Sequence, residues 1–131
     1  MKRKMIMRII GSEQEIITKD LSNSKNDAVL INSISYSREK DEHGTPILRL
    51  TIDKDWEHST ASIFDAIKND EKIDITIKYF IEGEEPSIIN YSNVIIDRIK
   101  SLFCADGFNF DDNLAIRQGK LYELIQVISY N

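Results

Sequence analysis

Asp53, Asp55, Trp56, Glu57 and His58 sit together in LTIDKDWEHSTASIFDAI (Leu50–Ile67), with the only tryptophan and one of two histidines. Carboxylates beside an imidazole suggest general acid–base chemistry or a metal ion. Acid–base work needs two carboxylates a few ångströms apart in a dry cleft, with their pKa values pushed apart. The i, i+2, i+4 spacing of Asp53, Asp55 and Glu57 puts them on one face only if a strand continues to Glu57. Ser59 or Thr60, natural helix N-caps, argue that it stops sooner. A metal held by His58 with Asp55 and Glu57 lacks a recognisable ligand spacing such as HExxH. The stretch therefore reads as a strand-to-helix corner. Its acids lie near the positive end of the helix dipole, and Trp56 is expected to cover the core edge.

The remaining chemistry-bearing residues are sparse. His43 lies in REKDEHG, a charged loop, as a solvated residue. Cys104, the only cysteine, has no histidine near it in sequence and reads as a structural thiol. CADGFNFDDN (Cys104–Asn113) carries Asp106, Asp111 and Asp112 with Gly107 but lacks the EF-hand ligand order and its closing glutamate. No GxxxxGK[ST], GxGxxG or GxSxG occurs. No catalytic, metal-binding or cofactor-binding residue is expected.

A single cysteine allows no intrachain disulfide, which suits a reducing compartment. The 22 acidic against 17 basic residues leave a net charge of −5, a poor match to nucleic acid. MKRKM at the start is a short basic knot, and MIMRII is too short and too interrupted for a signal-peptide core. No apolar run approaches the ~18 residues of a membrane span. The 131 residues suit one domain, 1–131, with its own core.

The elements that must position these residues are mostly strands. KIDITIKYFI (72–81) alternates strictly, with Ile73, Ile75, Ile77, Tyr79 and Ile81 on one face. EGEEP (82–86) supplies a hairpin connection. Ser87–Phe103 continues with Ile89, Tyr91, Ile95, Ile99 and Phe103 aligned, long enough to predict a bulge near Asn93. Further strands are expected at Met5–Ile10, Glu15–Thr18, Ala28–Tyr36 (Leu30, Ile34 and Tyr36 on one side) and Ile47–Asp53. Lys120–Tyr130 is apolar on both faces, Leu121, Ile125 and Val127 against Tyr122, Leu124, Ile128 and Tyr130. That suggests a sandwiched strand or a subunit interface. Only Ser59–Asn69 carries helical spacing, through Ile63, Phe64, Ala66 and Ile67. The expected fold is all-β: a barrel or sandwich of seven to eight mainly antiparallel strands with one short flanking helix.

The order of these elements resembles a known family. A strand ending in ISYS (34–37), a charged loop, a strand running into IDKD (52–55), the helix STASIFDAI, then KIDITIKYF and INYSNVIIDRIKS are similar to the Hcp family. Those are the tube-forming proteins of bacterial type VI secretion systems, akin to phage tail-tube proteins. The resemblance covers roughly Met5 to Tyr130. It implies a structural, non-enzymatic subunit that assembles with itself into hexameric rings and stacks them into a hollow tube. It also implies sheath, spike and effector proteins as partners, and no membrane insertion. Localisation would be the bacterial cytoplasm, then export through the apparatus without a signal peptide. The ring-stacking loop of the family maps to Ser37, Arg38, Glu39, Lys40, Asp41, Glu42, His43, Gly44 and Thr45. Tyr122, Leu124, Ile128 and Tyr130 are the matching candidate for a subunit-interface strand. Three readings stay open beside it: a small barrel binding an apolar ligand, a non-tube adaptor paralogue, and an enzyme using the Asp53–His58 cluster.

Overall fold

The computed structural model describes residues 3–20, 27–104 and 120–130, with the backbone alone at 101–104 and 120–122. The strands are β1 (Arg3–Gly11), β2 (Glu15–Ile16), β3 (Val29–Ile31), β4 (Ser33–Lys40), β5 (Pro46–Asp55), β6 (Lys72–Ile81), β7 (Ser87–Cys104) and β8 (Lys120–Ser129). One helix, α1 (Thr60–Lys68), lies between β5 and β6. All pairings are antiparallel, in the order β2-β1-β6-β7-β8-β5-β4, with β3 also on β1. The sheet curls around a core of Met7, Ile9, Leu50, Ile52, Ile75, Ile77, Ile125 and Val127, all essentially inaccessible to solvent.

Among the described residues the curl does not close through a strand ladder. The expected strand Ala28–Tyr36 is instead broken at Asn32. Its first part pairs with β1, and its second with β5 at the other end of the sheet. The Asn32 amide donates to the Asp53 carbonyl, and its side chain reaches the Asp53 and Asp55 carboxylates. This break flips the side-chain parity. Val29 and Ile31 are buried, whereas Leu30 is 61% exposed on the opposite face and does not join Ile34.

β6 takes the predicted span, with Ile73, Ile75 and Ile77 buried. β7 differs from its expected alternation. Asn93 adopts φ +57°, held by its amide donating to the Asp74 carboxylate, and the register with β6 slips there. The extra residue puts Val94 and Ile96 in the core and leaves Ile95 opposite Lys72. A second slip between Ile96 and Arg98 returns Ile99 to the core side.

Candidate functional site

β5 alternates Leu48, Leu50, Ile52 and Lys54 toward the inside, so its last inward position is a lysine rather than an apolar residue. In register across β8 stands Glu123. Both are fully buried, and Lys54 Nζ donates to Glu123 Oε1 at 2.9 Å. The chain then leaves the sheet, and Glu57 swings back so that its Oε1 accepts from the same ammonium at 2.7 Å. A buried charge of either sign is tolerated only when paired and hydrogen-bonded. Here one cation answers two carboxylates.

The start of α1 is built onto that pair. Ser59 occupies the N-cap position, but its hydroxyl does not accept from the helix as expected. It donates to Glu57 Oε1, while the Ser59 amide donates to Glu57 Oε2 at 2.9 Å. Glu57 is thus the acid at the helix start, and the first turn itself carries none. Thr60 Oγ1 donates to Glu123 Oε1 at 2.5 Å. Burial pushes the Glu57 carboxyl up, but Lys54 and the two Ser59 donors outweigh it and hold the group below its ordinary value. His58 Nε2 lies 3.0 Å from the Thr18 carbonyl oxygen, which can only accept, so this nitrogen carries the proton. Its Nδ1 faces Glu57 Oε2 at 3.4 Å and Asp20 Oδ2 at 4.0 Å.

This arrangement joins elements and offers little to a substrate. Lys54, Ser59, Thr60 and Glu123 are buried beneath the corner, and the Ser59 hydroxyl is engaged by a carboxylate already neutralised by lysine. Asp53 and Asp55 serve the Asn32 break instead of joining Glu57. Among the described residues no three His, Cys, Asp or Glu side chains are placed to hold a metal ion. Two expectations at the corner are corrected. Trp56 is 55% exposed rather than covering the core edge, and Phe64 points outward while Ile63 and Ala66 enter the core. α1 turns Ile63, Ala66 and in part Ile67 to the core, a single face that leaves Phe64 on the outward side.

The outer surface is the second candidate. Ser37–Lys40 belongs to β4 and pairs with Pro46–Arg49, so the expected loop shrinks to the turn Asp41–Thr45 at the tip of a hairpin. Asp41 shapes that tip: its Oδ1 accepts from the His43 and Thr45 amides, both at 2.9 Å, and Gly44 takes φ +79°. His43 is exposed there. Among the described residues β4 pairs only with β5, so its other edge meets no strand there. On β8, Leu124 and Ile128 are half-buried on the outward face and Tyr130 is exposed; Tyr122 contributes a backbone position opposite Asp55. Elsewhere on the outward face, Leu30, Ile6, Lys78 and Ile88 lie opposite one another across β3, β1, β6 and β7. The residues 105–113, read as a loop with an acidic run, lie outside the described residues.

Sequence reasoning missed Lys54 and Glu123 as partners and missed a surface triad. Arg49 of β5 reaches Glu39 on β4 (3.3 Å) and Asp97 on β7 (3.1 Å). The inward parity of Lys54, two residues after Ile52, was a usable signal. Glu123 occupies an inward position of the apolar closing strand by the same rule.

No family model and no curated protein matches the chain. Solved structures do. One described as a crystal structure of Hcp protein aligns with TM-score 0.69 at 13% identity, covering 98% of this chain and 88% of that one. A mutant form of the Hcp1 protein from E. coli EAEC 042 aligns at 0.62, 10% identical, over 94% and 84% of the two chains. The secreted protein Hcp3 from Pseudomonas aeruginosa aligns at 0.61, 15% identical, over 93% and 85%. The chain therefore has an Hcp-like fold.

Proposed function

We propose that this protein is a ring-forming structural subunit of the inner tube of a type VI secretion apparatus. The observation that carries the reading is a fold likeness over 98% of the chain to an Hcp protein. The surface supports it. A β4 edge that meets no other strand among the described residues and outward apolar residues such as Leu30, Ile88, Leu124 and Ile128 are surfaces that assembly would cover. Closed cyclic symmetry is a common way to cover such surface. On this reading the whole chain acts as one tube domain, six copies form the ring, and the hairpin tip Asp41–Thr45 packs one ring on the next. The face of β8 bearing Leu124, Ile128 and Tyr130, with the neighbouring Tyr122, meets a second copy. Sheath, spike and effector proteins are the other partners. The subunit performs no catalysis, is made in the bacterial cytoplasm and leaves through the apparatus without a signal peptide. Among the described residues no helix is long and apolar enough to cross a membrane.

Light scattering after size exclusion, with negative-stain microscopy, tests this directly. The expected result is a ring-sized oligomer, converted to monomer by Ile128→Glu without loss of the β-sheet circular dichroism. A strict monomer at high concentration, with no rings on the grid, overturns it.

A further inference from the structure

We propose that Glu57 is an acid-released latch on the start of helix α1, closed as the carboxylate and opened as the carboxylic acid. The geometry around its two oxygens carries the idea, independently of the ring reading. Oε1 receives the Lys54 ammonium from β5 and the Ser59 hydroxyl from the helix start. Oε2 receives the Ser59 amide and faces His58 Nδ1. The His58 ring is held in place by Nε2 on the Thr18 carbonyl, which turns Nδ1 toward Glu57. Each carboxylate oxygen thus meets a group that can only donate, the Lys54 ammonium on Oε1 and the Ser59 amide on Oε2.

A proton added to Glu57 therefore sets a donor against donors. On Oε1 only the Ser59 hydroxyl can turn round to accept, and it shares that oxygen with Lys54, so using it displaces the ammonium. A proton on Oε2 meets the Ser59 amide and leaves Lys54 facing an uncharged carbonyl oxygen. Lys54 then keeps only the partners within its reach. It is fully buried, and apart from Glu57 it meets Glu123 and the Asp55 carbonyl at 3.4 Å. The titratable groups around the latch are Lys54 from β5, Glu123 from β8, Asp20 from the Ile17–Asp20 connection, and His58 beside Glu57 itself. Glu123 Oε1 already accepts from Lys54 and Thr60, and its Oε2 has no partner among the described residues. When the latch opens, Glu123 is therefore the one carboxylate left to Lys54, through the oxygen it already holds or the unpartnered Oε2.

The sign follows from the same contacts. Lys54 and Ser59 hold Glu57 below its ordinary value against the opposing effect of burial. The latch is thus fully closed above the free glutamate range, about 4.3, and opens as pH falls through the lower folded value. Opening frees Ser59 and the first turn, while the other end of α1 stays tied by the Glu71 amide on the Ala66 carbonyl.

Trp56, next to Glu57 and the only tryptophan, is a native reporter. Its emission is recorded from about pH 7 to about pH 2 beside far-ultraviolet circular dichroism. The expected result is an emission change below the glutamate range that precedes loss of the strand signal. Glu57→Gln, which keeps the shape and removes the charge, loses that change and shows the acid-form emission already at neutral pH. Ser59→Ala, a milder substitution, moves the change to higher pH. An emission change that persists in Glu57→Gln, stays in place in Ser59→Ala, or coincides with loss of the strand signal overturns the proposal.

Discussion

Two lysine or arginine side chains of β5 each stand between two carboxylates, five positions apart and so on opposite faces of the strand. Lys54 points inward, fully buried, with Glu57 at 2.7 Å and Glu123 at 2.9 Å. Arg49 points outward, 22% exposed, with Glu39 at 3.3 Å and Asp97 at 3.1 Å. Each joins three parts of the fold. Lys54 ties β5 to β8 and to the helix entry; Arg49 ties β5 to β4 and, past its β8 neighbour Ile128, to the bulge of β7. The chemistry is nearly the same and the surroundings are not. Around Lys54, water cannot replace a lost partner, so removing one ion strands the others. Around Arg49, it can. The Asp97 hydrogen bond, followed by Glu39, raises the guanidinium pKa against a desolvation cost. Glu39 is held low chiefly by the Ser37 hydroxyl, with Arg49 contributing less. The outer triad does not depend on one ion alone.

The strongest way to break the comparison is Lys54→Met. It leaves Glu123 buried with only the Thr60 hydroxyl, and Glu57 with its Ser59 donors alone. Uncompensated buried charge is expensive, and a loss of about 3–5 kcal/mol in urea unfolding is expected. Adding Glu123→Leu should recover a large part of it, because replacing a buried ion pair with apolar groups of similar volume is often close to neutral. A double variant as unstable as Lys54→Met would mean that lost packing, not stranded charge, causes the effect.

A buried acid with no cation beside it among the described residues sharpens the contrast. Glu71 is nearly inaccessible and accepts from the Glu13 and Gln14 amides, both at 2.9 Å, and from Gln14 Nε2 at 2.8 Å. Burial pushes its carboxyl up, and these donors together hold it lower, so it too stabilises above the free glutamate range and stops doing so in acid. Gly11 makes room for it: a β-carbon there would lie 1.9 Å from Glu71 Oε2. Gly11→Ala must evict the carboxylate, stranding the two turn amides, at an expected cost of about 1–3 kcal/mol. In a Glu71→Ala background the same change should cost much less, a non-additivity that unfolding of the four variants would measure. Additive losses would show that Gly11 matters for its own backbone instead.

What could be read from the sequence follows the range of the interaction that sets it. β6 and the helix span follow from local alternation and helical spacing, and Asn93 was recognisable as a bulge because the strand was too long. The consequence of the bulge was not readable. Whether Ile95 or Ile96 enters the core depends on register against β6 and β8, which Asn93 and the Ile96–Arg98 slip reset. Asn32 breaks a continuous-looking strand because the segment before it belongs to β1 and the segment after it to β5. At the corner, the joint itself was legible from the alternation and the cap. Its polar wiring was not, because Glu123 comes from the last strand of the chain and Thr18 from the connection after β2. The exposure of Trp56 and Phe64 depends on what lies over them, which local pattern does not encode.

The smallest effect belongs to Arg49→Ala, and it is the test that places the divide at burial. Exposed ion pairs contribute little, because water replaces either partner and both long side chains lose freedom in holding one geometry. The urea midpoint should shift only at the edge of detection. What shift there is should fade with added salt, as the screening length shrinks from about 10 Å at 0.1 M to about 3 Å at 1 M. The Lys54→Met loss should hardly respond to salt, since its ions are shielded by protein rather than by solution. If Arg49→Ala proves as costly as Lys54→Met and equally indifferent to salt, then burial is not what separates the two sites. Their shared three-way bridging would have to carry the energy instead, with Asp97 on its bulge as the partner to substitute next.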